Sequence, residues 1–232
     1  MKLACLHLAA FLILSVATYS QKSVERIEIK GGSAAWENFY REIYRYPEFK
    51  TGIVEYKNGK QFRGHLNYNK VLGTIQFLDE KGDTLALNNE ELIKSVMIAD
   101  DEYFYVAPDC MQEVKDAGEL RLVKNERLRI ADKQKVGGLG IPNSTGTIDA
   151  YDRIDSKVNY NQIDINEKLL LNKTTRFFLE TAKRELVPAS KKNILGLFPK
   201  HEAQIKEYIK NRQIDFTRED HLAELIGFLA QL

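Results

Sequence analysis

The chain has 232 residues, 44% of them hydrophobic and 29% charged, and its formal net charge is +1. That length and balance exclude wholesale disorder and leave room for one core, or a core with a smaller satellite. The near-neutral charge withholds the basic footprint that nucleic-acid binding needs, so no nucleic-acid partner is expected.

The chain opens with Met1 and Lys2, then an apolar run that stops near Ala17, with small residues at Ser15 and Ala17. One positive charge, a short apolar run and small residues in that order predict a secretory signal peptide over 1–20, cut after Ser20 or Ala17. The run is shorter than the roughly 20 residues of a spanning helix, so no transmembrane span is expected after cleavage. Cys5 sits too early in the run to carry a lipid anchor. The protein is therefore expected to be periplasmic or secreted. Without the signal, Cys110 is the only cysteine, which excludes an intramolecular disulfide and predicts a buried, inert thiol. Asp79 to Glu119 is strongly acidic and Lys183 to Arg212 strongly basic, as expected of solvated faces or of two regions that meet each other or steer a partner.

Residues 21–48 read as an N-terminal strand and helix. Val24 to Ile29 alternates like a short edge strand, and Gly31-Gly32 ends it. Ser33 is placed to cap a helix over Ala34 to Tyr44. Trp36, Phe39, Tyr40, Ile43 and Tyr44 recur there at helical spacing, which predicts a core-facing stripe, and Pro47 stops it.

Residues 49–135 read as a β-rich core module. Thr51 to Tyr56 is β-branched and aromatic, and Asn58-Gly59 marks a hairpin because both residues tolerate positive φ. Phe62, Gly64, Leu66 and Tyr68 then alternate with Arg63, His65 and Asn67, giving one apolar and one polar face. Turns near Lys70–Gly73 and Glu80–Asp83 separate strands at Thr74–Leu78 and Thr84–Leu87. Asn88–Lys94 reads as one helical turn, Ser95–Ala99 and Tyr103–Ala107 as strands, Gln112–Ala117 as a brief helix, and Glu119–Ile130 as alternating strand. Several short strands between glycine-bearing turns predict an α+β protein built on an antiparallel β meander or a small barrel, and the meander resembles SH3-like and PRC-like barrels.

Residues 136–166 read as a polar loop or hinge, because Val136 to Thr147 is rich in turn formers and carries no apolar period. Residues 167–190 return to strand character at Glu167–Leu171, Thr174–Leu179 and Arg184–Val187. Residues 191–232 predict a C-terminal helical hairpin: Pro199 suits a helix start, and Ile205, Tyr208 and Ile209 share a face. Thr217 with Asp220 resembles a capping box, and Leu222, Leu225, Ile226, Leu229 and Leu232 form a helical stripe. So short a helical pair is expected to dock on the sheet rather than stand alone.

Several familiar chemistries fail on their spacing. His201-Glu202 begins like a zinc-protease helix, but Ile205 stands where the second histidine belongs. Gly137-Gly138-Leu139-Gly140 lacks the lysine of a phosphate loop and the third glycine of a dinucleotide fingerprint. Ser144 is not in a nucleophile elbow, and Cys110 has no adjacent histidine. Asp149, Asp152 and Asp155 recur every third residue, as calcium ligands can, without the turn glycine or terminal glutamate of such a loop. Asp83-Thr84-Leu85, Asn143-Ser144-Thr145 and Asn172-Lys173-Thr174 match glycosylation tripeptides of little specificity. No catalytic, cofactor-binding or metal-binding residue is assigned. The candidate binding surface is Tyr56, Asn67, Tyr68, Tyr103 and Tyr105, aromatics beside polar residues, with an envelope protein or a glycan as the expected partner. The competing reading is a hydrolase or carbohydrate-binding protein using the acidic cluster Asp100, Asp101, Glu102 and Asp109.

Gly52-Ile53-Val54, Lys57-Asn58-Gly59, Leu66-Asn67-Tyr68-Asn69, Ile75-Gln76-Phe77 and the tail Leu197-Phe198-Pro199-Lys200 together resemble small, uncharacterised exported proteins of Bacteroidota-type bacteria. The resemblance spans most of the mature chain. It implies an exported β meander followed by a helical hairpin and brings no catalytic residues; the chain is expected to be a non-enzymatic binding or structural module of the envelope.

Overall fold

Twelve strands join in one sheet in the computed structural model, which describes residues 22–30, 34–136, 142–144, 168–183 and 185–232. The expected signal peptide, the Ser33 cap, the glycine run 137–140 and Asp149, Asp152 and Asp155 lie outside the described residues. In chain order the elements are β1 (Lys22–Ile29), α1 (Ala35–Ile43), β2 (Lys50–Tyr56), β3 (Gln61–Asn69), β4 (Thr74–Leu78), β5 (Thr84–Ala86) and β6 (Ile93–Ile98). They continue with β7 (Asp101–Val106), β8 (Asp109–Asp116), β9 (Leu120–Val136), β10 (Pro142–Ser144), β11 (Lys168–Thr181) and β12 (Leu186–Pro188). Three helices follow: α2 (Lys191–Leu197), α3 (Glu202–Asn211) and α4 (Glu219–Leu229).

The strands are ordered β1-β11-β9-β8-β7-β6-β2-β3-β4-β5, with β10 on β9 and β12 on β11. Every pairing is antiparallel. The protein is thus α+β with a β meander, and two runs of hairpins, β2–β5 and β6–β9, meet where β2 pairs β6. The path has two ends, β1 and β5, but the runs curl toward each other. Tyr68 Oη donates to the carbonyl of Glu126, Leu128 N–H to the carbonyl of Lys70, and Ile75 N–H to Tyr105 Oη.

Turn chemistry sets the hairpins. At Asn58-Gly59 only the glycine takes positive φ, +81°, while Gly59 N–H donates to the Tyr56 carbonyl and Asn58 Oδ1 accepts from Lys60 N–H. A turn with one left-handed residue at its end therefore replaces the expected pair of them. The Asp79 carboxylate accepts from Lys81 and Asp83 N–H, closing the third turn around Gly82.

Three local expectations change. Gln112–Asp116 belongs to strand β8 rather than a helix, because β9 pairs along it and β7 pairs the other side at Gln112, overriding its weak local preference. Val136 and 142–144 are paired strand rather than loop. The two strands expected over 167–179 are one, β11, with an irregularity between Leu170 and Leu171.

Beside α1, a core of Phe39, Ile43, Leu128, Leu169 and Leu171 absorbs part of the expected aromatic stripe, while Tyr40 stays exposed. A second core, Val54, Leu66, Ile75, Val96, Ile98 and Tyr103, fills the curl of the two meanders. The C-terminal helices dock on the sheet: Leu222, Leu225, Ile226 and Leu229 of α4 and Ile205 and Ile209 of α3 are buried with Leu122, Phe177 and Leu179 of β9 and β11. Full burial of each such side chain contributes about 1.5–3 kcal/mol, which short helices need in order to form. Ser190 caps α2, accepting from Asn193 N–H. The capping box expected at Thr217 does not form, since Thr217 Oγ1 donates to Asp215 instead. Among the described residues no helix is long and apolar enough to cross a membrane.

Candidate functional site

Of the residues expected at an exposed binding surface, three are buried. Asn67 and Tyr103 are each 1% exposed and Tyr68 4%. Asn67 is spent on the backbone: its Oδ1 accepts from Tyr46 N–H and its Nδ2 donates to the Tyr46 carbonyl, so the amide stands in for a strand neighbour where the chain leaves α1. Tyr68 stacks on Tyr103 with ring centroids 5.7 Å apart. Tyr105 is half-buried, its hydroxyl 3.1 Å from Thr74 Oγ1 and accepting from Ile75 N–H. The reason for the correction is curvature. Alternation along β3 separates two faces, but at its C-terminal end residues 66–69 are buried on both, because α1 and the segment leaving it cover one side and β7 to β9 the other.

Asn67 and Tyr103 join a polar cluster that runs from the interior out to Arg45 at the surface. Tyr46 Oη lies 2.5 Å from Asp101 Oδ2, 3.2 Å from the Ile98 carbonyl and 3.3 Å from Tyr103 Oη, and Arg45 Nε sits 3.6 Å from the same carboxylate. Burial, reinforced by the bond to Asp101, pushes the Tyr46 hydroxyl up to about 12. Burial likewise holds Tyr68, Tyr103 and Tyr105 neutral well beyond the ordinary phenol range. The cavity inside this cluster is about 10 Å³, room for roughly one water. Its groups are paired with one another, which makes it a packing device.

The acidic cluster does not converge. Asp100 and Asp101 lie at the start of β7, whereas Asp109 follows its far end, about 17 Å along the strand. Asp101 is engaged by Tyr46 and Arg45. Among the described residues no three His, Cys, Asp or Glu side chains come together as metal ligands. Cys110 is buried, and desolvation raises its thiol pKa far above the ordinary range, as an inert thiol requires.

Among the described residues two concavities reach about 510 Å³. One, of about 520 Å³, lies between the β8–β9 turn and the helices, lined mainly by apolar residues such as Leu120, Phe198 and Leu229. The other, of about 510 Å³, is the open end of the β2–β5 meander. Tyr56, Phe62, Phe77 and Leu85 line it with the amides of Asn88 and Asn89, and none of its lining side chains is charged. Register explains the aromatics: Val54 pairs Phe62 and Phe77 pairs Leu85, so these residues and Tyr56 fall on the inner face of the curl. Phe62 lies over Gly64, where an added Cβ would stand 2.8 Å from its ring, and meets Phe77 edge-on at 5.4 Å. Of the expected surface residues only Tyr56 belongs here. The sequence signal that would have found the rest is the shared parity of Phe62, Phe77 and Leu85 across the turns.

No protein-family model matches the chain, and neither the curated proteins nor the solved structures contain a match to it.

Proposed function

We propose that this is an exported envelope protein acting as a non-enzymatic binding module, with the open end of the β2–β5 meander as its binding face. The observation that carries this reading is an uncharged concavity in a chain that is 29% charged, combining partly exposed aromatics with free amides. Ligand sites have this composition: apolar walls supply the affinity and a few polar groups the orientation. Export rests on the N-terminal apolar run and on the resemblance to exported Bacteroidota-type proteins. On this reading the curled β2–β9 region acts as a barrel-like scaffold, and α3 and α4 as a hairpin that closes the opposite side.

The test is photo-crosslinking in intact cells, with a photoreactive amino acid at Leu85, which is 44% exposed. A defined adduct from position 85 that is absent from a control position on α4 is the expected result. No adduct, or identical adducts from both positions, overturns the reading.

A further inference from the structure

Resting on the binding reading above, we infer that the β2–β5 concavity is a site for a neutral oligosaccharide. Three observations lead to this class. First, the ligand meets no ionic partner: the lining contains no Asp, Glu, Lys or Arg, so an anionic or cationic ligand would lose its hydration without a counter-charge. Second, the apolar part is aromatic and rigid. Phe62 is pinned over Gly64 and braced by Phe77, while Tyr56 stands beside them at the end of β2. A rigid platform of that kind loses little entropy on binding and suits the C–H face of a sugar ring. Third, the polar part is made of neutral groups that both donate and accept. Asn88 and Asn89 are exposed and make no side-chain hydrogen bond among the described residues, and Asn89 is held in the left-handed region at φ 55° by the turn into β6. Amides can donate to and accept from sugar hydroxyls at once.

The volume, about 510 Å³, lies within the roughly 300–1,000 Å³ typical of small-ligand sites. An extended peptide would be expected to use the backbone of the neighbouring edge, but β5 offers only Thr84–Ala86, too short a ladder to hold a strand. Side-chain recognition in the concavity is the stronger mode.

The experiment is calorimetric titration of the mature chain with two neutral probes, a tetrasaccharide of β-1,4-linked N-acetylglucosamine and a β-1,4-linked glucose tetramer, and with a sulfated tetrasaccharide as the charged control. Saturable binding of a neutral probe is expected, weakened at least tenfold by Tyr56→Ala and by Leu85→Glu, with the sulfated probe bound at least tenfold more weakly than the neutral one. Leu85→Glu alters an exposed side chain, and its circular dichroism and urea midpoint establish that a loss of binding is not a loss of fold. Absence of binding by both neutral probes, equal binding of the sulfated probe, or binding unchanged in Leu85→Glu overturns the assignment. If the glycans fail while position 85 still crosslinks to one defined protein or to a second copy of this chain, the oligosaccharide class falls and the binding reading stands.

Discussion

The guanidinium of Arg127 occupies the space that a side chain on Gly73 would fill: a Cβ built there would stand 0.8 Å from Arg127 Nη1. Gly73 sits at φ +70° in the β3–β4 turn, and Arg127, on β9, donates from Nη1 to the neighbouring Leu72 carbonyl at 2.9 Å. The turn is thereby tied to the opposite wall of the curl. Gly73→Ala is expected to lose about 2–3 kcal/mol, of which left-handed strain accounts for about 1–2 and the displaced hydrogen bond for about 1. In an Arg127→Ala background the same change should cost only the strain. Urea denaturation of the four proteins measures this, and additive losses would refute the coupling.

Lys124 of β9 and Glu219 of α4 join the helices to the sheet through a 2.7 Å ion pair, with side-chain exposures of 6% and 47%. Among the described residues the lysine ammonium makes no other hydrogen bond. Glu219→Gln leaves a nearly buried cation without its counter-charge and is expected to cost about 1–2 kcal/mol. This is less than the 3–5 of a fully buried pair, because the carboxylate is half in water. Lys124→Met removes the charge together with its desolvation cost and should be closer to neutral. A Glu219→Gln midpoint indistinguishable from the parent would show that the pair contributes nothing.

Stability should fall in alkali. The Tyr46 hydroxyl titrates higher in the folded chain, about 12, than the ordinary phenol value near 10. A raised folded pKa means that the folded state holds the proton more tightly. Its contribution is therefore complete below about pH 10 and is lost as pH rises toward 12. Tyr68, Tyr103, Tyr105 and Cys110 are shifted in the same direction by burial and add to the trend. Urea midpoints measured from pH 8 to 11.5 should hold steady and then drop, and Tyr46→Phe should make the drop shallower. A flat profile to pH 11.5, or an identical slope in Tyr46→Phe, would contradict the assignment.

Local chemistry accounts for what the sequence by itself determined. Turn glycines and side chains that bond to their own backbone placed the hairpins at Gly59, Gly73 and Gly82. The helical period placed the apolar face of α4, and alternation marked β9. Such signals need only neighbours a few residues away. Gln112–Asp116 shows where this stops: its own preference is weak, and pairing with β9, joined by β7 at Gln112, makes it extended.

Burial of the interior polar residues was decided by the tertiary structure alone. Asn67, Tyr68 and Tyr103 carry polar groups and read as surface in a list of letters. The curl of the sheet gives each a partner, a backbone for Asn67, the Glu126 carbonyl for Tyr68 and the Tyr46 hydroxyl for Tyr103. A paired polar group can be buried without the desolvation cost that would keep it at the surface, and the partners lie far along the chain, Tyr46 between α1 and β2 and Glu126 on β9. The same curvature leaves Tyr56, Phe62, Phe77 and Leu85 around an open end. Residue type and strand parity placed these side chains on one face; the bend of the sheet alone made that face a concavity.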